Sequence, residues 1–213
     1  MEVVPFGISL TDALCVCVGG GTVAARRVPV LLAGGATVTV VAPLLDPRVR
    51  ALVEAGRCAH AARPYRVGDC EGAFLVLAAT GDPVVDAEVT REALVGSRLI
   101  CVASDAEQGN CFFMATARRG RMIVALHGGG GAPAVTAALR RRIDAHLPER
   151  LEESLDRLAQ MRAELRQAVP DPAERASRWR RAVDSGALDL ALDLGSEAAF
   201  AAVGRILAGG EVT

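Results

Sequence analysis

Short apolar runs recur along the first half of the chain, each followed by a turn rich in glycine, proline or aspartate. Residues 14–18, 36–42, 74–79 and 99–103 are such runs. They are too short for helices and too continuous for strands with one wet face, which predicts strands buried on both sides of a parallel sheet. Between the first two, Val23, Val30, Leu31 and Leu32 predict a helix that lines one side of the sheet and stops at Gly34 and Gly35. Asp46-Pro47 and Asp82-Pro83 predict further helix starts, over 48–55 and 84–95, with aspartate as cap and proline in the first turn. The repeated strand, helix, strand order makes this half doubly wound.

From Asn110 onward the rhythm changes. Residues 111–117 and 122–126 are strand-like and are separated by Arg118, Arg119, Gly120 and Arg121, which predicts a hairpin with arginines at its tip. Four glycines follow at 128–131, then Ala132-Pro133 opens a helix through about His146 that Pro148 ends. Leu151, Leu155, Leu158, Leu165 and Val169 predict another helix; after a break at Pro170 to Pro172, two shorter helical segments surround Trp179 and Phe200.

The expected fold class is therefore α/β. A Rossmann-type parallel-sheet domain covers residues 1–112, a small α+β dimerisation region covers 113–149, and a helical C-terminal region covers 150–213. A short apolar hairpin with one long helix makes a poor core by itself, so a second copy of the chain is expected to complete it.

Composition narrows the function classes. The chain is 51% hydrophobic with a formal net charge of -1 over 213 residues, which offers no global attraction to nucleic acid or to a membrane surface. It has no uninterrupted apolar stretch of membrane-spanning length and no basic segment ahead of an apolar core at its start, so a cytoplasmic protein is expected. Cys15, Cys17, Cys58, Cys70, Cys101 and Cys111 lie mostly in apolar runs without C-x-x-C spacing; they read as small buried hydrophobes, and no metal site is expected.

The chemistry concentrates where the first run enters Gly19, Gly20, Gly21, Thr22, Val23 and Ala24. In the dinucleotide pattern G-x-G-x-x-G/A, Gly19 makes the tight turn, Gly21 lets a pyrophosphate approach a helix N-terminus, and Ala24 permits close packing of helix on strand. Gly19, Pro43, Thr80 and Asp105 each follow an apolar run and so fall on the carboxyl edge of the sheet, where open α/β sheets bind ligands. Asp105 reads either as an ordinary turn aspartate or as a general base. The second run ends in Val40, Val41, Ala42 and Pro43 without the usual ribose-binding carboxylate, so NADP stays open beside NAD, with Arg48 or Arg50 near a 2′-phosphate.

Several of these segments together, from Pro5-Phe6 through Leu10, the glycine turn, Ala79-Thr80, residues 102–105 and the glycine-rich turn before Pro133, resemble the precorrin-2 dehydrogenase family, which includes the N-terminal half of siroheme synthase. The resemblance spans about residues 3–185, with Arg178-Trp179 in its helical part. It implies NAD-dependent oxidation of precorrin-2 to sirohydrochlorin, in some members also iron insertion, by an intertwined homodimer. It places Thr22 and Val23, then Pro43 and Leu44, against the dinucleotide and makes Asp105 the catalytic carboxylate; Gly19, Gly21 and Thr80 complete the expected cofactor site.

A tetrapyrrole fringed with carboxylates needs donors, and Arg118, His127, Gly129 and Gly130 are the candidates for its contacts. The family often has serine in this turn, where the chain has His127 and glycines, so His127 reads as a replacement donor or as a polar strand end. Two other readings stand beside the dehydrogenase: a metallochelatase only, and a non-catalytic dimeric sensor of NAD(H).

Overall fold

A computed structural model describes residues 3–129 and 132–210. The chain divides into two compact units, Met1–Phe113 and Met114–Thr213.

Unit 1 is built on five parallel strands, β1 Leu14–Val18, β2 Thr37–Val41, β3 Ala59–Ala61, β4 Leu75–Ala78 and β5 Leu99–Val102, in the order β3-β2-β1-β4-β5. Helices α1 Thr22–Ala33, α2 Pro47–Glu54 and α3 Pro83–Val95 connect them. Alternation of side chains along each strand divides the core into two layers. Cys15, Cys17, Leu75 and Leu77 face a layer that holds Val28 and Leu31 of α1 and Val49 of α2, whereas Val16, Val18, Val76 and Ala78 face one that holds Val89 and Ala93 of α3. The strand order turns between β1 and β4, whose residues pair from Cys15 opposite Leu75 to Val18 opposite Ala78. Such a switch point opens a crevice at the carboxyl ends.

The helix caps follow the expected chemistry. Asp46 accepts from the Arg48 backbone N–H at 2.9 Å and opens α2, and Asp82 accepts from Val84 N–H at 2.9 Å and opens α3. The packed face of α1 holds three of the four expected residues, Val23, Leu31 and Leu32, together with Ala24, Ala25 and Val28, whereas Val30 is 52% exposed. The sheet lies close enough to α1 that alanines fill the gap, and the larger Val30 points away. Strand β3 was not expected; it is only three residues long and carries His60, which the apolar pattern passes over.

Unit 2 opens with the antiparallel hairpin of β6 Ala115–Arg119 and β7 Met122–Leu126. Two details of the expected hairpin change. Residues 111–114 are not strand, and Arg118 and Arg119 lie inside β6 opposite Ile123 and Met122, leaving Gly120 and Arg121 to turn the chain. Gly120 has φ +53, which glycine adopts readily, so the reversal belongs there. Helix α4 Pro133–His146 follows, then α5 Leu151–Ala168, α6 Pro172–Asp184, α7 Ala187–Leu194 and α8 Glu197–Leu207. Three helices thus stand where two were expected around Trp179 and Phe200; the added one, α7, is bounded by Gly186 and Gly195, both left-handed. Met161, Leu165, Ala182, Phe200, Val203 and Ile206 form the core of this part.

Unit 1 is tied on its α3 side by two carboxylates. Glu92 accepts from Tyr65 Oη, from Gly68 N–H at 3.0 Å and from Cys70 N–H at 2.9 Å; burial works against its charge, but these donors hold its carboxyl below the usual range. Asp69 is held low chiefly by the Arg63 guanidinium at 2.6 Å. A carboxyl depressed in the folded state adds stability above its unfolded value of about 4, and the gain is lost as pH falls through the folded value. Denaturant midpoints measured against pH are expected to drop between about pH 5 and pH 2. Glu92→Gln is expected to lower the neutral-pH midpoint and flatten that acid limb; an acid limb as steep as the parent's refutes the assignment.

Candidate active site

The β1–α1 turn is pressed against the backbone of its neighbours. Gly19 has φ +111, and a Cβ there would lie 2.1 Å from the Ala79 carbonyl oxygen. A Cβ on Gly20 would lie 2.3 Å from the Leu44 carbonyl oxygen. Backbone hydrogen bonds hold the turn in this gap: Gly19 N–H donates to Val41 O at 2.9 Å, and Asp46 N–H donates to Gly20 O at 2.7 Å. The loops after β2 and β4 therefore clamp the first two glycines from either side.

Gly21 is different. A Cβ on it would meet nothing within 4 Å, and it caps α1 with no side-chain acceptor for the helix's first N–H groups. An uncapped helix start facing open space beside a glycine fits an anion such as a pyrophosphate. Thr22 and Val23 begin the helix there, and buried Ala24 packs on the sheet. Pro43 and Leu44 follow β2 on the same edge, where Leu44 is 79% exposed. Arg48, considered above for a 2′-phosphate, is already engaged: its guanidinium grips both Asp46 oxygens at 3.1 and 3.0 Å and holds that carboxyl below the usual range.

Thr80 is fixed by a residue that sequence reading missed. Asp86, on the first turn of α3 and 2% exposed, accepts from Thr80 N–H at 3.1 Å and from Thr80 Oγ1 at 2.7 Å. Thr80 Oγ1 also accepts from Asp82 N–H at 3.0 Å, so the whole turn after β4 is braced at the crevice. An acid in the first turn of a helix has an ordinary role beside the helix dipole, which is why Asp86 carried no signal of its own.

Asp105 lies in the exposed turn after β5, on the same edge. One oxygen accepts from Glu107 N–H at 2.9 Å and the other from Gln108 Nε2 at 3.2 Å, which sets the carboxylate in a turn where no cation among the described residues pairs with it. The structure thus brings Gly19, Gly21, Thr22, Val23, Pro43, Leu44, Thr80 and Asp105 to one carboxyl edge.

The expected substrate contacts lie in unit 2 and are spread out. His127 and Gly129 follow β7, whereas Arg118 sits near the turn end of β6, since Ala115 rather than Arg118 is opposite Leu126. At about 3.4 Å per residue that separates Arg118 from His127 by more than ~10 Å along the hairpin. Gly130 lies outside the described residues. The neighbouring Arg119 is engaged with Asp144 of α4 at 2.7 Å.

The cysteines add no chemistry here. Five are buried and Cys111 is partly so, all with free thiols, and burial pushes Cys17 up to about 12. Among the described residues no group of three or more histidine, cysteine or acidic side chains is arranged to hold a metal ion.

Known proteins resemble this chain in family and in fold. A family model described as "Putative NAD(P)-binding" matches residues 6–115. The siroheme synthase of Methylococcus capsulatus is 33% identical, covering 90% of this chain and 40% of its own length. That of Chromobacterium violaceum is 34% identical over 99% of this chain and 45% of its own length. The chain therefore spans less than half the length of these curated relatives. Among solved structures, SirC, a precorrin-2 dehydrogenase, superposes with a TM-score of 0.79 over 97% of this chain and 100% of its own, at 21% identity; this is a likeness of fold.

The two outer glycines of the turn make opposite predictions. Gly19→Ala is expected to destabilise the protein by more than about 2 kcal/mol, because a left-handed residue is pressed on a carbonyl. Gly21→Ala is expected to leave the melting temperature nearly unchanged and to weaken dinucleotide binding. Thermal melts and a nucleotide titration read both, and equal effects on stability would reject the division of roles.

Proposed function

The chain belongs to the NAD(P)-binding family whose model matches residues 6–115, and from that premise we propose that it is an NAD-dependent dehydrogenase that oxidises precorrin-2 to sirohydrochlorin. The observation that carries this reading is the pairing, on one sheet edge, of an uncapped helix start at Gly21 with the exposed carboxylate of Asp105. Gly19, Gly21, Thr22 and Val23 would hold the pyrophosphate end, Pro43 and Leu44 the adenosine end, and Thr80 the part nearer the switch point. When bound, the dinucleotide supplies the hydride acceptor.

The chain's own residues supply the rest. Asp105 removes the proton that the oxidation releases from the macrocycle; its turn keeps the carboxylate open to solvent and substrate. Asp86 positions Thr80 without touching the reaction, because its own side chain is buried while it accepts from Thr80 N–H and Oγ1. Of the two arginines considered for a 2′-phosphate, Arg48 is already paired with Asp46, which leaves Arg50 alone for NADP and weighs toward NAD. Arg118, His127, Gly129 and Gly130 remain the candidates for the carboxylate arms of the substrate.

The same reading makes the protein a homodimer built through residues 113–149. Helix α4 has no buried residue, Val135 is 58% exposed and Ile123 is 49% exposed, which leaves apolar surface for a second copy. Free thiols throughout suit the reducing cytoplasm, and no described helix is long and apolar enough to cross a membrane. Ile123→Asp is expected to shift sedimentation from dimer to monomer at micromolar concentration; a compact monomer in the parent protein rejects the dimer.

Anaerobic incubation with precorrin-2 is expected to reduce NAD faster than NADP at equal concentration. Ferrous ion added afterwards reads metal insertion separately. Asp105→Asn is expected to keep the fold and nucleotide binding while cutting turnover by about two to four powers of ten. Unchanged turnover removes Asp105 from the mechanism, and a parent protein that binds NAD but reduces none of it with precorrin-2 rejects the reaction.

A further inference from the structure

Beside the Asp105 turn lies a cleft of about 180 Å³ within unit 1. Val23, Arg26 and Arg27 of α1 form one wall; Val102, Ala103 and Ala106, after and at the end of β5, form another, and Phe112 and Phe113 close it. Spacings of three and four residues bring Val23, Arg26 and Arg27 onto one side of the helix. Their Cα–Cβ bonds tilt toward the helix N-terminus and therefore toward the carboxyl edge of the sheet. Ala106 is the residue next to Asp105, so the cleft adjoins the proposed base.

The two arginines are unequal. Arg27 lies under Phe113, its guanidinium carbon 4.3 Å from the ring centre, and is half-buried. Burial lowers its pKa; Cys101 beside it works the other way, and the like charge of Arg26 adds to the lowering. Arg26 is exposed, and among the described residues no carboxylate pairs with it or lines the cleft. Two adjacent cations at an otherwise apolar cleft repel each other, and an anion placed between them relieves that repulsion while gaining charge-assisted hydrogen bonds.

We propose that Arg26 binds one carboxylate arm of the macrocycle in this cleft, with the stacked Arg27 as its fixed support, so that Arg26 sets the position of the substrate against Asp105. The assignment rests on the dehydrogenase reading for the identity of the substrate and goes beyond it in naming where an arm is held. The volume fits a side arm: whole small-molecule sites run from about 300 to 1,000 Å³. The pyrophosphate has its own place at Gly21, about 7.5 Å nearer the helix start along the axis than the Arg26 backbone.

The test uses the full chain loaded with NAD and titrated with sirohydrochlorin or with its carboxyl-esterified form, followed by macrocycle absorbance. Arg26→Gln is expected to weaken sirohydrochlorin binding about ten- to hundredfold, leave NAD affinity unchanged and have no effect on the ester. Arg26→Lys is expected to recover most of the loss. Unchanged sirohydrochlorin affinity in Arg26→Gln overturns the proposal, as does a loss confined to NAD, which assigns Arg26 to the pyrophosphate. A parent protein that binds the acid in an Arg26-dependent way but does not oxidise precorrin-2 leaves the site standing and removes the reaction. Turnover with Arg26-independent binding does the reverse.

Discussion

The first unit depends on the absence of two side chains. The carbonyl oxygens of Ala79 and Leu44 approach the β1–α1 turn so closely that Gly19 and Gly20 alone among the residue types fit there. That approach brings the loops after β2 and β4 against the start of α1, and the hydrogen bonds from Gly19 to Val41 and from Asp46 to Gly20 lock the three together. A crevice with a bare helix N-terminus at its floor results from this packing; Gly21, the one glycine of the three with open space beside it, is left for a ligand.

Around that clamp, polar side chains are committed in layers. Asp46 caps α2 and occupies Arg48, Asp86 holds Thr80, and Glu92 gathers Tyr65, Gly68 and Cys70 on the far layer. Each is an acceptor that satisfies donors in a turn, and none leaves a buried backbone N–H at these places without a partner. What stays uncommitted is correspondingly informative: among the described residues no cation pairs with the Asp105 carboxylate and no carboxylate pairs with the Arg26 guanidinium. At one edge of a braced sheet these are the two groups to which the proposed reaction gives work: a carboxylate to take a proton and a guanidinium to bind an anion.

Unit 2 follows a different logic. The core of α5 to α8 is internally complete, with Phe200, Val203 and Ile206 packed against Met161 and Leu165. The hairpin and α4 are joined by Arg119 to Asp144 and keep apolar residues such as Ile123 and Val135 exposed. Apolar surface left open on an element with so little core of its own is the physical basis for assigning it to assembly.

Much of this was legible along the chain because local chemistry decides it. The strand 14–18, the glycine turn, the aspartate caps before Pro47 and Pro83 and the stop at Gly34 each follow from a residue's own backbone preferences or from a partner two or three positions away. The positions that were misread depend on distant neighbours. Which face of α1 is buried is set by how near the sheet lies, so small Ala24 and Ala25 displaced Val30 from the expected stripe. Arg118 moved from turn to strand because pairing with Ile123, not its charge, fixes the hairpin register. Asp86 on Thr80 and Phe113 over Arg27 join segments that only folding brings together, and no spacing in the sequence announces such contacts. The sequence by itself therefore determined the order of elements and the place of the glycine turn, where the energetics are local; the tertiary structure decided which polar groups are spent on bracing the edge and which stay exposed there.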